Sequence, residues 1–437
     1  MTVLLYILGV AVVAVGIIAS IALHEVGHMY PAKKFGVKVT QYFVGFGRTV
    51  WSVRRGETEY GLKAFPLGGF VKLVGMLPPE PGEDDTHVRK SNTGMFTQLI
   101  SDARSAEYED VGPEDGPRMF YRQPWWKKLI VMAGGPMVNI AIAFVLFLLL
   151  FSVIGANTPT TTVNAVSQCV IADSEAGRAC VSTDPAAPAA AAGLRAGDEI
   201  TAFDGTQVSG WEQLTRLIRA NGSATVPITY VRDGETITRP VSTQVIPRQA
   251  VSSSGEIDPD RVEDVGFLGV EPTRAYVRQG VGYTVQQMGS LTVATGEAIL
   301  HLPQRMVSVA KAAVGGVRED DSPISVVGAG RIAGEVASDD SAPVKDRVAF
   351  VISLLASINL FIALFNFIPL LPLDGGHIVG ALWEGLKRAF ARVSGRPEPR
   401  PVDVGKMLPV AYAVGAVLLV MGVLLIYVDI VNPLQLT

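Results

Sequence analysis

Residues 2–34 read TVLLYILGVAVVAVGIIASIALHEVGHMYPAKK, and this stretch decides the fold. From Thr2 to Leu23 there is no charged side chain. A run of about 20 such residues is long enough for a helix to cross a hydrocarbon core of roughly 30 Å. A cleaved secretory signal would carry a basic leading segment and a small-residue cleavage site. This run has neither, and it continues into residues whose chemistry cleavage would discard. It is therefore read as a membrane span, closed by Pro31 and the cationic Lys33 and Lys34.

The span ends on H-E-x-x-H, as His24, Glu25, Val26, Gly27 and His28. Positions i and i+4 share one helix face, so both imidazoles can reach one ion while Glu25 turns toward the adjacent water. Zinc suits such a set: three protein ligands leave a fourth position for a water whose pKa falls to about 7. Glu25 is then placed as general base in peptide hydrolysis. A five-residue pattern is only moderately specific, but here it closes a stretch otherwise free of charge, where polar side chains are costly and mark function. A polar cap at the helix end would have no reason to adopt this order.

Bulk composition agrees with a membrane enzyme. Of 437 residues, 49% are hydrophobic and 18% charged, and the mean hydropathy is +0.33. That is high for a soluble enzyme and low for a pure transporter, so spans plus a polar domain are expected. The formal net charge of -4 leaves no basic footprint for nucleic acid. Cys169 and Cys180 lie close together in a segment expected outside the cytoplasm, where a bridge would persist; two unpaired small residues are the alternative.

Three further apolar runs follow: Leu129 to Ile154, Val348 to Leu373 and Met407 to Val428. The first of these is preceded by Trp125, Trp126, Lys127 and Lys128, an aromatic and basic collar expected at a membrane surface. Lys33, Lys34, Arg54, Arg55, Lys127 and Lys128 flank the first connection, and Lys387, Arg388, Arg392 and Arg396 fill the third. Both connections are expected in the cytoplasm, with the chain ends and the segment from about Gly155 to Arg347 facing outward. Within the first connection, residues 42–77 (YFVGFGRTVWSVRRGETEYGLKAFPLGGFVKLVGML) suggest strands, dipping toward the membrane only where protein or a wet cavity shields them; a plain cytoplasmic hairpin is the alternative. Residues 78–118, rich in Pro, Gly and acids, read as a mobile loop.

A catalytic zinc needs a third ligand. His87 and His301 sit in polar or surface segments without partners. Asp374, in NFIPLLPLDGGH, ends the third span at the same cytoplasmic depth as His24 and His28. Pro369 and Pro372 break the helix just before it, freeing backbone groups for an extended substrate. His377 is a rival ligand, placed beyond the Gly375–Gly376 turn.

These residues resemble a family: the site-2 proteases, intramembrane zinc metalloproteases, and in particular the bacterial branch with a PDZ domain. HEVGH at 24–28, AGGPMVNI at 133–140 and NFIPLLPLDGG at 366–376 are similar to its three motifs. PAAAAGLRAGDEITAFDGTQV looks like its PDZ core, and residues 42–77 resemble its membrane-dipping β region. The resemblance implies one Zn2+ on His24, His28 and Asp374, with Glu25 as base. It implies substrate contacts from Asn366 and Asn359 and from Gly68 and Gly69 of the β region, with Asn139, Pro369, Pro372 and Gly375 structural beside the site. It also implies a single-span membrane substrate, typically an anti-sigma factor already trimmed by a site-1 protease. Two departures stand out. Many long relatives carry two PDZ domains where one core is found here, and some have an extra proline between Pro369 and Pro372. One PDZ and a long acidic loop make the chain similar to actinobacterial members.

The expected organisation is a polytopic α-helical membrane protein with four transmembrane helices, a membrane-dipping β region and one inserted extracytoplasmic α+β PDZ domain. Its segments are 1–41 (first span), 42–77 (β region), 78–127 (cytoplasmic loop), 128–155 (second span) and 160–272 (PDZ domain). There follow 273–346 (amphipathic helical linker), 347–377 (third span), 378–406 (cytoplasmic connection) and 407–431 (fourth span). Partners are the substrate, the upstream protease and membrane lipid, in a bacterial plasma membrane. A binding protein with a vestigial metal site would tolerate loss of Glu25. A metal transporter would show internal repeats, and none is seen among the four spans. A soluble zinc protease would place H-E-x-x-H on a water-facing helix.

Overall fold

A computed structural model describes residues 2–79, 111–171, 179–181, 183–251, 257–319 and 322–434. Most of the expected mobile loop, with His87, lies outside these residues. The chain divides into two compact units, Met1–Val153 with Gln279–Thr437, and Ile154–Arg278.

The first unit is a helix bundle with a small sheet. Four helices are long and apolar enough to cross a membrane: Thr2–Lys34 (α1), Trp125–Ile154, Val344–Asn366 and Val404–Val431. Helix α2 occupies Trp125–Leu149 of the second span and ends in a π turn, Leu150–Ile154. In lipid no hydrophobic force drives helices together, so close backbone approach through small residues has to do it. Gly27 of α1 and Gly134 of α2 are such a pair. A Cβ on Gly134 would stand 2.0 Å from the Gly27 carbonyl oxygen, and one on Gly27 would stand 2.4 Å from that of Gly134. Pro31 does not close α1 as expected; it lies inside the last turn. Its missing N–H leaves the Gly27 carbonyl without its helical donor, at the point where α1 meets α2.

Between these helices the chain forms β1 (Val39–Arg55) and β2 (Thr58–Leu73). Each is bent, so the pair makes four segments side by side. Residues 41–44 have 69–72 on one flank and 59–62 on the other, and 49–55 folds back on 58–63. The 69–73 segment is thus an outer edge among the described residues. Tyr42 Oη donates to the Ala22 carbonyl at 2.8 Å, fastening β1 to α1.

The second unit is the α+β module. Its main sheet runs in the order β10 (Val270–Val277), β3 (Ala156–Val166), β4 (Glu199–Phe203), β6 (Thr225–Arg232), β7 (Glu235–Ser242), with β5 (Thr206–Gln207) on β4. A separate pair joins β8 (Gln244–Val251) and β9 (Ile257–Phe267). After a single turn, α3 (Pro188–Ala191), the amphipathic α4 (Trp211–Ala220) packs Leu214 and Ile218 onto Ile200, Phe203, Ile228 and Tyr230. The module is wider than residues 160–272 because Ala156 pairs with Val277. That long-range pairing closes the unit and has no local signal. Cys169 and Cys180 are bonded, with S–S 1.99 Å.

The stretch expected as an amphipathic linker forms α5 (Val281–Leu300), α6 (Leu302–Ala313) and α7 (Val326–Ser338). Helix α7 is part of the bundle, its buried Ala333 packing with Val13 and Ile17 of α1. The third span, α8 (Val344–Asn366), stops eleven residues short of the expected 377, at the proline-rich turn. Helix α9 (Asp374–Val393) begins anew, and α10 (Leu408–Val431) completes the set. The basic collar also differs from expectation. Lys128 is buried and donates to Glu384 of α9 at 2.7 Å, so it faces protein rather than headgroups.

Candidate active site

His24 and His28 lie one turn apart on the buried face of α1. Their Nε2 atoms are 3.2 Å apart, and Asp374 Oδ2 lies 3.3 Å from each. Among the described residues these three form the only cluster of ligand atoms of this kind. Asp374 reaches them because the Pro369–Pro372 turn ends α8 and restarts the chain as α9, whose first residue is Asp374. His377, the rival ligand, is not part of the cluster.

The protonation of the imidazoles follows from their outer partners. His28 Nδ1 lies 2.8 Å from the Val131 carbonyl oxygen, which can only accept, so Nδ1 carries the proton. For His24 the same result comes through a relay. The Leu355 carbonyl accepts from Asn359 Nδ2 at 2.8 Å; Asn359 Oδ1 accepts from Asn139 Nδ2 at 2.9 Å; and Asn139 Oδ1 is left to accept from His24 Nδ1 at 2.6 Å. Both Nε2 lone pairs are therefore bare and face Asp374 Oδ2, which is buried without a hydrogen bond. Three bare donor atoms converging in a buried place fit a cation, and two imidazoles with one carboxylate are a catalytic-zinc set. Outer partners that fix the tautomer are the usual support of such ligands.

Backbone fills the remaining side of the cluster. A Cβ on Gly135 would stand 2.2 Å from His28 Nε2 and 2.7 Å from His24 Nε2, so only glycine lets α2 pass here. Gly69 of β2 is against Glu25, where a Cβ would be 2.9 Å from Glu25 Cγ. Gly68, at φ +129, sits beside the Phe46 ring.

The expected site residues thus divide. His24, His28 and Asp374 converge, Glu25 and Gly69 adjoin them, and Asn139 and Asn359 stand behind His24. Asn359 is 1% exposed with both amide atoms engaged. Asn366 Nδ2 donates to the Ile362 carbonyl of its own helix. His301 Nδ1 is within 2.9 Å of the Glu297 carbonyl, on the surface. Gly135 falls within the AGGPMVNI motif, although nothing there showed its closeness to the imidazoles, and the Val131 carbonyl had no sequence signal.

An H-E-x-x-H helix joined by a carboxylate from another element, inside a bundle of membrane-length helices, defines a membrane-embedded metallopeptidase. The model for Peptidase family M50 matches residues 12–397, and the chain belongs to that family. It is 36% identical over 441 residues to the Zinc metalloprotease Rip1 of Mycobacterium tuberculosis, covering 99% of this chain and 100% of the relative. It is 33% identical over 438 residues to the Zinc metalloprotease Rip1 of Mycolicibacterium smegmatis, covering 98% of each. A more distant relative is the Metalloprotease MmpA of Caulobacter vibrioides, 25% identical over 380 residues and 84% of each chain. The chain is accordingly a multi-pass membrane zinc metalloprotease of the site-2 type, with actinobacterial relatives.

His24, His28 and Asp374 would hold such an ion, which would polarise a scissile carbonyl and lower the pKa of a water. Glu25, beside the set, would serve as the base for that water and pass the proton to the leaving amine. Asn139 and Val131 hold the imidazoles in one tautomer and orientation throughout.

Proposed function

We propose that this protease cuts the transmembrane segment of a single-span membrane protein, an anti-sigma factor already shortened outside by a site-1 protease, and so releases a cytoplasmic regulator. The observation that carries the reading is the placement of Gly69 against Glu25 on an outer strand edge. A substrate helix cannot be hydrolysed while its carbonyls are engaged in i to i+4 bonds. An extended substrate segment adding to the 69–73 edge would have its backbone groups satisfied by the strand and its scissile bond carried over Glu25.

The charge pattern supports the orientation. Basic residues flank the first and third connections, so His24, His28 and Asp374 lie toward the cytoplasmic side and both termini face out. The Cys169–Cys180 bond agrees with an oxidising compartment for the inserted α+β module. We read that module as a PDZ domain that screens trimmed substrates.

The test is co-expression of wild type and Glu25→Gln in the same cells, followed by comparison of membrane proteomes. Trimmed single-span fragments with intact transmembrane segments are expected to accumulate in the variant. Indistinguishable fragment populations would sink the proposal.

A further inference from the structure

Helix α9 carries apolar side chains on two opposite faces. One face is buried: Ile378, Ala381, Glu384, Gly385 and Ala391. The other consists of Val379, Leu382, Trp383, Leu386, Phe390 and Val393, each between 47% and 89% exposed. Their spacing of three, four, seven, eleven and fourteen residues from Val379 places them in one stripe about 100° wide. Yet α9 is not a span, since Glu384, Lys387, Arg388 and Arg392 interrupt it. A helix with an exposed apolar stripe and Lys387 near its edge suits the plane of a membrane surface.

The buried face fixes what lies beside the stripe. Glu384 is held by Lys128 at 2.7 Å and Arg388 at 3.0 Å, and Arg388 holds Glu398 at 3.0 Å. Glu384 Oε2 also accepts from the Val402 amide at 3.4 Å. This network draws the segment leading to α10 back along α9. The result is a cleft of about 520 Å³ whose lining includes Trp383, Lys387, Arg400, Val402, Asp403 and Lys406. Among the described residues that line it, three are cations and one is a carboxylate, and Asp403 Oδ1 accepts from the Gly405 amide at 3.0 Å, capping the turn before α10. Arg396 adds a fourth cation nearby, over the Phe390 ring at 5.8 Å.

We propose that this cleft seats the headgroup of an anionic phospholipid, with the phosphate between Lys387, Arg400 and Lys406 and the acyl chains along the Trp383–Phe390 stripe. The charge complementarity and the exposed apolar stripe that meets the cleft at Trp383 both select lipid as the occupant. The inference rests on the reading of the chain as membrane-embedded and is independent of its substrate. It gives α9 an anchor in the bilayer plane, and the first residue of α9 is the zinc ligand Asp374.

The test uses the full chain in nanodiscs containing lipids brominated on the acyl chain, reading tryptophan fluorescence. The Trp383 contribution is isolated by difference from Trp383→Phe. Brominated phosphatidylglycerol is expected to quench Trp383 more strongly than brominated phosphatidylcholine at equal mole fraction. That preference should fall about five-fold for each of Lys387→Gln, Arg400→Gln and Lys406→Gln, the worth of one basic side chain at an anionic surface. Equal quenching by the two lipids, or a preference unchanged in the triple variant, overturns the lipid seat and leaves the protease assignment standing. Loss of the preference on adding inorganic phosphate would reassign the cleft to a soluble anion and overturn it as well. Quenching by neither lipid, with cross-linking through Phe390→Cys to a second copy, would make the stripe a dimer face. Absence of quenching of any tryptophan would overturn the membrane reading itself.

Discussion

Asn139 accepts the Nδ1 proton of His24 at 2.6 Å, and the direction of that bond is set by the Leu355 carbonyl two side chains away. A backbone acceptor on α8 therefore decides which nitrogen of a histidine on α1 is free for the metal. Breaking the relay at either amide is expected to weaken zinc affinity by about 10- to 100-fold, as for other outer-shell partners. Zinc competition with a chelator on Asn139→Ala and Asn359→Ala checks this. Undiminished affinity in both would remove the relay from the account.

Glu25 and Asp374 separate by what they lose. Glu25→Gln keeps all three ligands and is expected to bind zinc stoichiometrically while turnover falls by roughly 10²–10⁴. Asp374→Ala removes a ligand and should lose zinc before it loses fold. Metal content by mass spectrometry, alongside cleavage of a membrane substrate, distinguishes the two; full zinc in Asp374→Ala would move the third ligand elsewhere.

Gly135→Ala tests the closeness of α2 to the imidazoles. The new Cβ would meet His28 Nε2 at 2.2 Å. Helix α2 or the ring has to move, at a cost of about 1–3 kcal/mol in packing, and zinc retention should drop with it. Gly134→Ala strikes the α1–α2 contact through the Gly27 carbonyl instead and should lower thermal stability.

The Lys128–Glu384 pair is buried, with side chains 8% and 1% exposed. Lys128→Met leaves Glu384 with only Arg388 and the distant Val402 amide among the partners described and is expected to cost about 3–5 kcal/mol. Adding Glu384→Gln should recover part of the loss, because no buried carboxylate that has lost its lysine then remains. Thermal unfolding in detergent with both variants gives the coupling; simple additivity would mean the pair contributes nothing specific.

Acid sensitivity of the α+β module should trace to Asp198. Burial raises its pKa, but the bonds from Arg232 at 2.7 and 2.8 Å and from the Arg195 amide outweigh it, so the net shift is downward. A carboxylate with a depressed folded pKa stabilises above its unfolded value, near 3.9, and that contribution is lost as pH falls through the folded value. Wild type should therefore lose protection of β4 and β6 amides below about pH 4 in hydrogen exchange. Asp198→Asn should show weaker protection at neutral pH and a flatter acid limb. A parallel loss in both proteins would assign the acid sensitivity to another group.

Much of the site was legible because membrane insertion writes itself locally. A charge-free run of 20-odd residues is long enough to span, and polar groups inside it need a reason. His24, Glu25, His28 and Asp374 follow from that rule together with the period of a helix and the parity of crossings. The Asn139–Asn359 relay did not. Two asparagines 220 residues apart carry no mutual signal until α1, α2 and α8 are packed. Asn359, expected beside the substrate, has its amide committed to the relay.

By itself the sequence determined the four spans, the candidate metal ligands and the presence of an inserted polar module, because hydrophobic length, helical period and charge placement act over neighbouring residues. Tertiary structure decided the rest. It set the tautomer of His24, the inward turn of Lys128, the membership of α7 in the bundle and the two-faced character of α9. Each of these depends on which surface meets which, and side-chain order along one chain does not encode that distance. His24 and His28 are one turn apart in any helix; that Asp374 Oδ2 stands 3.3 Å from both required the whole bundle to close.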